Sequence, residues 1–232
     1  MKYLKRFWSL YLITAIVFIS LSVGADRAVT TIAQNTPIPR HHTIIIDAGH
    51  GGEDGGATAV NGVLESEINL QIAIKMRDLC HFLGYQTRMV RTTDVSVYTE
   101  GNTLAAKKAS DLRQRVHIVN QTENAILISI HQNTFTDSRY HGAQVFYSES
   151  EGSRDFAAML QQQLCKYLNP GSNRQEKKAD HVYLMRNIRK TGILVECGFI
   201  SNPEEAEKLL DAEYQRKLCS VIVCCLSGYI NA

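Results

Sequence analysis

The chain has 232 residues, 44% hydrophobic and 21% charged, with 15 glycines and 6 cysteines. This composition excludes a low-complexity disordered chain, a collagen-like repeat and a disulfide-dense miniprotein, and suits one globular domain with a short accessory segment. A formal charge of +2 supplies no concentrated basic face, so no nucleic-acid partner is expected.

Residues 1–25 begin with Lys2, Lys5 and Arg6, continue as an apolar run from Phe7 to Val23, and close on Val23-Gly24-Ala25. That is the form of an export signal, and the run is nearly long enough to span a bilayer, which takes ~17–25 residues. The segment reads as a signal peptide or a membrane anchor. Its basic flank stays cytoplasmic in either case, so the rest of the chain is exported, secreted or membrane-anchored. Residues 26–42, polar and carrying Pro37 and Pro39, read as a linker. His41 and His42 sit side by side in it, where nothing fixes their geometry, and no metal site is expected from them.

From residue 43 onward strands and helices alternate. Thr43–Asp47 is an apolar β-branched run of the kind buried on both faces of a parallel sheet. Ile68, Ile72, Met76, Leu79 and Leu83 recur at helical spacing and predict a helix over 66–83, ended by Gly84. Gln86–Arg91 is the second strand, and residues 92–109 read as a long polar connection. Asp111 opens the next helix, with Leu112, Val116 and Val119. Ala125–Ile130 and Ala143–Tyr147 are further strands, and Phe156, Leu160 and Leu164 mark a helix over 152–168. The 170–180 stretch reads as a mobile surface loop whose charges form a solvated face. His181–Met185 and Gly192–Glu196 read as strands. Asn202-Pro203-Glu204-Glu205 is a helix start with an N-cap, a first-turn proline and a capping-box glutamate. Leu218, Ile222, Cys225 and Tyr229 give the last helix its apolar stripe. The expected fold is a single three-layer α/β/α domain over 43–232, its sheet twisted and mostly parallel.

Cys80, Cys165, Cys197, Cys219, Cys224 and Cys225 form no C-x-x-C pairs and no compact framework. They read as buried thiols, with one incidental disulfide as the alternative.

Open α/β sheets place their sites beyond the carboxyl ends of the strands. The first strand runs into Asp47-Ala48-Gly49-His50-Gly51-Gly52, the third into His131-Gln132-Asn133, and the last ends at Glu196. Two histidines and a glutamate thus converge on one sheet edge. Catalytic zinc takes three protein ligands of this type and leaves one position open. His50 and His131 are two. The third is a carboxylate near His50, and Glu53, Asp54, Glu65 and Glu67 are the choices. Glu65 starts the returning helix and is held in place. Glu53 and Asp54 lie in a glycine-rich loop, and Glu67 can serve the helix N-terminus. Physical chemistry favours Glu65 and leaves the others open. Glu196, held by a strand, is the candidate proton carrier. A Cys197 thiol nucleophile would leave His50 and Glu65 without a role.

These residues resemble the zinc-dependent N-acetylmuramoyl-L-alanine amidases, bacterial cell-wall hydrolases, over essentially all of 43–232. The family's Ile-Asp-Pro-Gly-His-Gly-Gly corresponds to Ile46-Asp47-Ala48-Gly49-His50-Gly51-Gly52, with Ala48 in place of proline. Its glutamate before Asp-Ile-Asn-Leu corresponds to Glu65, ahead of Glu67-Ile68-Asn69-Leu70. Its Ser-Ile-His-x-Asn corresponds to Ser129–Asn133, and its Val-Glu-x-Gly-Phe-x-Ser-Asn to Val195–Asn202. The resemblance implies one Zn2+ per chain on His50, Glu65 and His131, with Glu196 as catalytic base and acid and Asn133 as a candidate substrate contact. It implies cleavage between the lactyl group of N-acetylmuramic acid and L-alanine in peptidoglycan glycan strands with stem peptides. Ser110–Val116, and one bare catalytic domain behind an amino-terminal signal or anchor, look like the sporulation subgroup, germination-specific amidases of spore cortex that allow muramic-δ-lactam to form. That placement implies the forespore intermembrane space or cortex. An accessory or regulatory protein is a further candidate partner. A zinc peptidase cutting within the stem peptide and a non-enzymatic wall-binding module are the alternatives.

Overall fold

Ile44, Ile45 and Ile46 are each fully buried, and they build the first strand of the sheet, β1 (Thr43–Ala48). A computed structural model describes residues 42–232. The expected signal or anchor segment, 1–25, and all of the linker except His42 lie outside the described residues. Among the described residues no helix is long and apolar enough to cross a membrane.

The remaining elements follow in chain order: α1 (Glu65–Phe82), β2 (Gln86–Met89), α2 (Leu104–Gln121), β3 (Ala125–Asn133), β4 (Gln144–Tyr147), α3 (Ser153–Tyr167), β5 (Lys177–Lys178), α4 (Tyr183–Asn187), β6 (Thr191–Phe199), α5 (Pro203–Leu210) and α6 (Ala212–Ile230). The six strands form one sheet in the order β2-β1-β3-β6-β4-β5. All neighbours are parallel except β4 and β6. The expected mostly parallel α/β/α domain is what the chain adopts.

Strand side chains alternate between faces, and this splits the core in two. Ile44 and Ile46 of β1, Ile126, Ile128 and Ile130 of β3, and Ile193 and Val195 of β6 pack into the larger cluster, with α1, α3 and α6. Ile45, Leu127 and Leu194 point the other way, into a smaller cluster with residues of α2 and α4. Asp47, Ser129, His131 and Glu196 continue this second set by period two. The thinly covered face therefore carries the polar residues at the strand ends.

Helix α1 buries Ile68, Ile72, Ala73, Met76 and Cys80 on one stripe. It ends in a Schellman turn, with Tyr85 N–H donating to Cys80 O, Gly84 N–H donating to His81 O, and Gly84 at φ +80°. On the larger face Phe156 stacks on Tyr229 with ring centroids 4.8 Å apart, joining α3 to α6.

Three sequence expectations need correction. Helix α2 starts at Leu104, inside the stretch read as a polar connection, with the Thr103 side chain accepting from Ala106 N–H. Its first turns face solvent and carry no apolar stripe, yet Ala105-Ala106-Lys107-Lys108-Ala109 are strong helix formers. His181–Met185 is not a strand. Tyr183–Asn187 forms a short helix that puts Leu184 and Met185 into the smaller cluster. The 170–180 stretch ends in an edge strand, β5, whose Lys177 and Lys178 pair with β4. Both lysines are exposed, and Lys178 bonds Asp180 at 3.1 Å, as a solvated charged face should.

Candidate metal centre

The Asp47–Gly52 turn leaves β1 and carries His50, whose φ of +60° is the left-handed region that side chains other than glycine rarely enter. Glu65 is the first residue of α1 and is buried. His131 and Glu196 are strand neighbours on β3 and β6. The candidate ligand atoms of His50, Glu65 and His131 all lie within 4.8 Å of one another. His50 Nε2 is 3.3 Å from Glu65 Oε1, and His131 Nδ1 lies 3.1 Å from the same oxygen. A tetrahedral ion with ligand bonds of ~2.0–2.2 Å needs ligand atoms about 3.3–3.6 Å apart. The donor chemistry and spacing fit zinc.

The surroundings fix each of the three groups. Glu65 Oε1 also accepts from Gln132 N–H at 3.1 Å and Asn69 Nδ2 at 3.3 Å, and Oε2 accepts from Ala57 N–H at 3.1 Å. Burial opposes ionisation of Glu65, but His131 and His50 outweigh it and hold its pKa far below the usual carboxylate range. His50 Nδ1 lies 3.0 Å from Asp54 Oδ2, which Lys108 Nζ also approaches at 3.1 Å. Burial alone would lower the His50 pKa, yet Glu65 and then Asp54 raise it. An Asp54 carboxylate on Nδ1 leaves Nε2 free for an ion. Glycines make the room. A Cβ on Gly49 would sit 2.2 Å from His131 Nε2, and one on Gly56 2.6 Å from Glu65 Oε2.

Glu196 is of a different kind. Its Oε2 is buried with no hydrogen-bond partner, and burial pushes its pKa up to about 7. An unpaired carboxylate beside the three ligand candidates is poised to take and return a proton near neutral pH.

The other carboxylates weighed as ligands lie elsewhere. Glu53 is exposed and bonds Lys107 at 2.6 Å, and Glu67 is exposed in the first turn of α1. Asp54 contacts His50 from behind. Asn133 ends β3 two residues beyond His131, and its carbonyl accepts from Ile200 N–H. Between His131 and Asn133 the β3–β6 register shifts, with His131 opposite Glu196 but Asn133 opposite Phe199. His42 lies away from this cluster, its Nδ1 3.3 Å from Asn124 O.

All six cysteines are free. Cys197 is fully buried, and burial holds its pKa well above the usual thiol value. That argues against a thiol nucleophile, which needs a thiolate.

Two buried arginines that local spacing does not single out hold the turn that carries His50. Buried Arg91 donates to the carbonyls of Ala48 at 2.9 Å, Gly49 at 3.0 Å, Ser66 at 2.8 Å and Thr93 at 3.1 Å. Buried Arg115 donates to Ala48 O at 3.0 Å, His50 O at 2.7 Å, Asp111 Oδ2 at 2.5 Å and Asp47 Oδ1. Asp47 in turn accepts from Ser129 Oγ at 2.7 Å. The signal in the sequence was Asp47 itself, a charge inside a buried strand that requires a cationic partner.

Residues 44–226 match the family described as N-acetylmuramoyl-L-alanine amidase. The chain belongs to the N-acetylmuramoyl-L-alanine amidase family. The amidase is 38% identical over 181 residues to the germination-specific N-acetylmuramoyl-L-alanine amidase of Bacillus subtilis (strain 168), covering 77% of this chain and 76% of that protein. Its fold matches the CwlD amidase of Clostridioides difficile, solved in complex with the GerS lipoprotein. The TM-score there is 0.78 at 35% identity, over 82% of this chain and 98% of that one. A second solved N-acetylmuramoyl-L-alanine amidase, from Clostridium difficile 630, matches with a TM-score of 0.72 at 26% identity, over 83% and 98% of the two chains.

Proposed function

We propose that this amidase uses one zinc ion on His50, Glu65 and His131 to cleave the bond between the lactyl carbonyl of N-acetylmuramic acid and L-alanine, with Glu196 as base and then acid. The observation that carries the reading is the meeting of one ligand atom each from His50, Glu65 and His131 within 4.8 Å of one another, with the unpartnered Oε2 of Glu196 on the neighbouring strand.

When bound, zinc polarises the scissile carbonyl and acidifies water. Glu196 takes the proton from the attacking water and returns it to the departing L-alanine amine, so one carboxylate serves both halves of the reaction. Desolvation favours this role, because a carboxyl with a pKa of about 7 gives up and regains a proton at little cost near neutral pH. Asp54 orients His50, and Asn133, at the end of β3, contacts substrate. The products are a glycan with a free lactyl carboxylate and a stem peptide with a free amino terminus.

The likeness to the germination-specific amidase supports a substrate in spore cortex, where stem-peptide removal allows muramic-δ-lactam to form. Residues 1–25 support export as a secreted or membrane-anchored enzyme. The complex of the CwlD amidase with a lipoprotein supports an accessory partner of that class here.

The test is to digest purified peptidoglycan with the purified chain, with added zinc and with a chelator, and to weigh the fragments. The proposal requires zinc-dependent release of stem peptides that begin with L-alanine. Fragments cut inside the stem peptide would mark a zinc peptidase instead, and no release from zinc-loaded protein would favour a binding role.

A further inference from the structure

The backbone of residues 48–50 is gripped from behind by two guanidinium groups. Three consecutive carbonyls, of Ala48, Gly49 and His50, accept from Arg91 or Arg115, and Ala48 O accepts from both. His50, in the left-handed conformation at φ +60°, is the end of that series. A residue with a Cβ does not hold such a backbone unless its surroundings impose it. The carbonyl of His50 accepts from Arg115 Nη2 at 2.7 Å, while its side chain turns to Glu65 and Asp54. Releasing that carbonyl frees the peptide that aims the imidazole.

Arg115 is connected to the strand of the other histidine through Asp47. Its Nη1 pairs with Asp47, and the second oxygen of Asp47 accepts from Ser129 Oγ, two residues before His131 on β3. Asp47 thus ties the strand that delivers His50 to the strand that delivers His131, and the guanidinium holds Asp47. A generic structural ion pair does not fit this arrangement. Arg115 lies close enough to disfavour the charge on Arg91, and burial disfavours both cations. Asp47 and Asp111 compensate Arg115, and Asp94 lies 3.8 Å from Arg91 NH1. Buried charge of this kind is a weak source of stability compared with an apolar core, so its use here is in fixing a geometry.

The geometry points to Arg115 as a positioning residue that sets the relative placement of His50 and His131 and thereby the zinc affinity of the site, with Asp111 and Asp47 as its anchors. The inference rests on the reading of both histidines as zinc ligands. Lysine keeps the charge but offers one nitrogen, and cannot reach Ala48 O, His50 O, Asp47 and Asp111 together.

The test compares zinc affinity by chelator competition in the full chain for wild type, Arg115→Lys and the milder Asp111→Asn, with the absorption of the cobalt-substituted proteins as a second readout. Leu164→Ala, on α3 in the larger core cluster, serves as a destabilised control remote from the turn. The account predicts that Arg115→Lys loosens zinc 10–100-fold, the effect of losing an outer partner of a ligand. Asp111→Asn should loosen it less, both should change the cobalt spectrum, and Leu164→Ala should change neither. If Arg115→Lys fails to fold, Asp111→Asn with altered affinity and spectrum still carries the inference. Wild-type affinity and spectrum in the folded Arg115 or Asp111 variants would overturn it, as would an equal loss in Leu164→Ala. A wild-type chain that binds no zinc would instead strike the reading of the site.

Discussion

Glu196 and His131 are paired across β6 and β3, side by side in a parallel register, yet their environments drive them to different work. His131 Nδ1 is engaged with Glu65. Glu196 Oε2 is engaged with nothing and carries a pKa raised by burial to about 7. A base must be unprotonated to act, so kcat/KM should rise with pH through an acidic limb. A bound dication favours the charged carboxylate, so the midpoint should lie at or below about 7. Glu196→Gln should abolish the limb together with a factor of ~10²–10⁴ in rate. A pH–rate profile of residual activity checks this, and an unchanged limb in the variant would assign it to another group.

The same carboxyl costs stability. Its folded pKa lies above its unfolded value of 4.5, so between 4.5 and about 7 the folded state holds the proton that the unfolded state has lost. Stability of the metal-free protein therefore falls as pH rises across that window, the reverse of a salt-bridged carboxylate. Glu196→Gln removes the loss. The zinc-free variant should be more stable than wild type by ~3 kcal/mol at pH 8 and equal to it below pH 4. Denaturant melts at the two pH values read this out directly.

Two glycine-to-alanine changes should part company. At Gly49 the added methyl would occupy the His131 ring, 2.2 Å from Nε2, so Gly49→Ala should abolish zinc binding even where the protein folds. Gly228 lies within α6, and its nearest foreign atom is Met159 Cε at 3.9 Å. Gly228→Ala should raise stability by ~0.5–1 kcal/mol through helix propensity and leave zinc binding alone. Calorimetry and metal analysis on the pair separate local crowding at the site from a general intolerance of substitution.

Asp54 approaches His50 Nδ1 at 3.0 Å and contributes no ligand of its own. Asp54→Asn should weaken zinc 10–100-fold and keep most of the activity once zinc is saturating. A variant inactive at any zinc concentration would give Asp54 a direct part in the chemistry.

The sheet was legible because its central strands are short β-branched runs, as in Ile44-Ile45-Ile46, that no exposed segment would carry. His50, His131 and Glu196 were legible because each follows or ends such a run. Among Glu53, Asp54, Glu65 and Glu67 the residues favoured Glu65 without closing the choice, since it is the packed start of α1 that buries Glu65 and leaves Glu53 and Glu67 exposed. The first turns of α2 left no apolar period to read. Glu205 was read as a capping-box glutamate, and Asn202 does cap α5 by accepting from Glu205 N–H. The Glu205 carboxylate, however, accepts from Phe199 N–H at 2.8 Å and Gly142 N–H at 2.9 Å, closing the loop ahead of β4 onto the end of β6. Such long-range partners have no signature in local spacing, and the same holds for Arg91 and Arg115, whose residue type suggests a surface.

The central claim is a division of labour in which three residues hold zinc and a fourth moves the proton. Zinc content per chain, measured alongside peptidoglycan cleavage for wild type, His131→Ala and Glu196→Ala, tests it most directly. The account predicts one zinc and full activity in wild type, no zinc and no activity in His131→Ala, and one zinc without turnover in Glu196→Ala. Full zinc in His131→Ala, or wild-type turnover in Glu196→Ala, would contradict it.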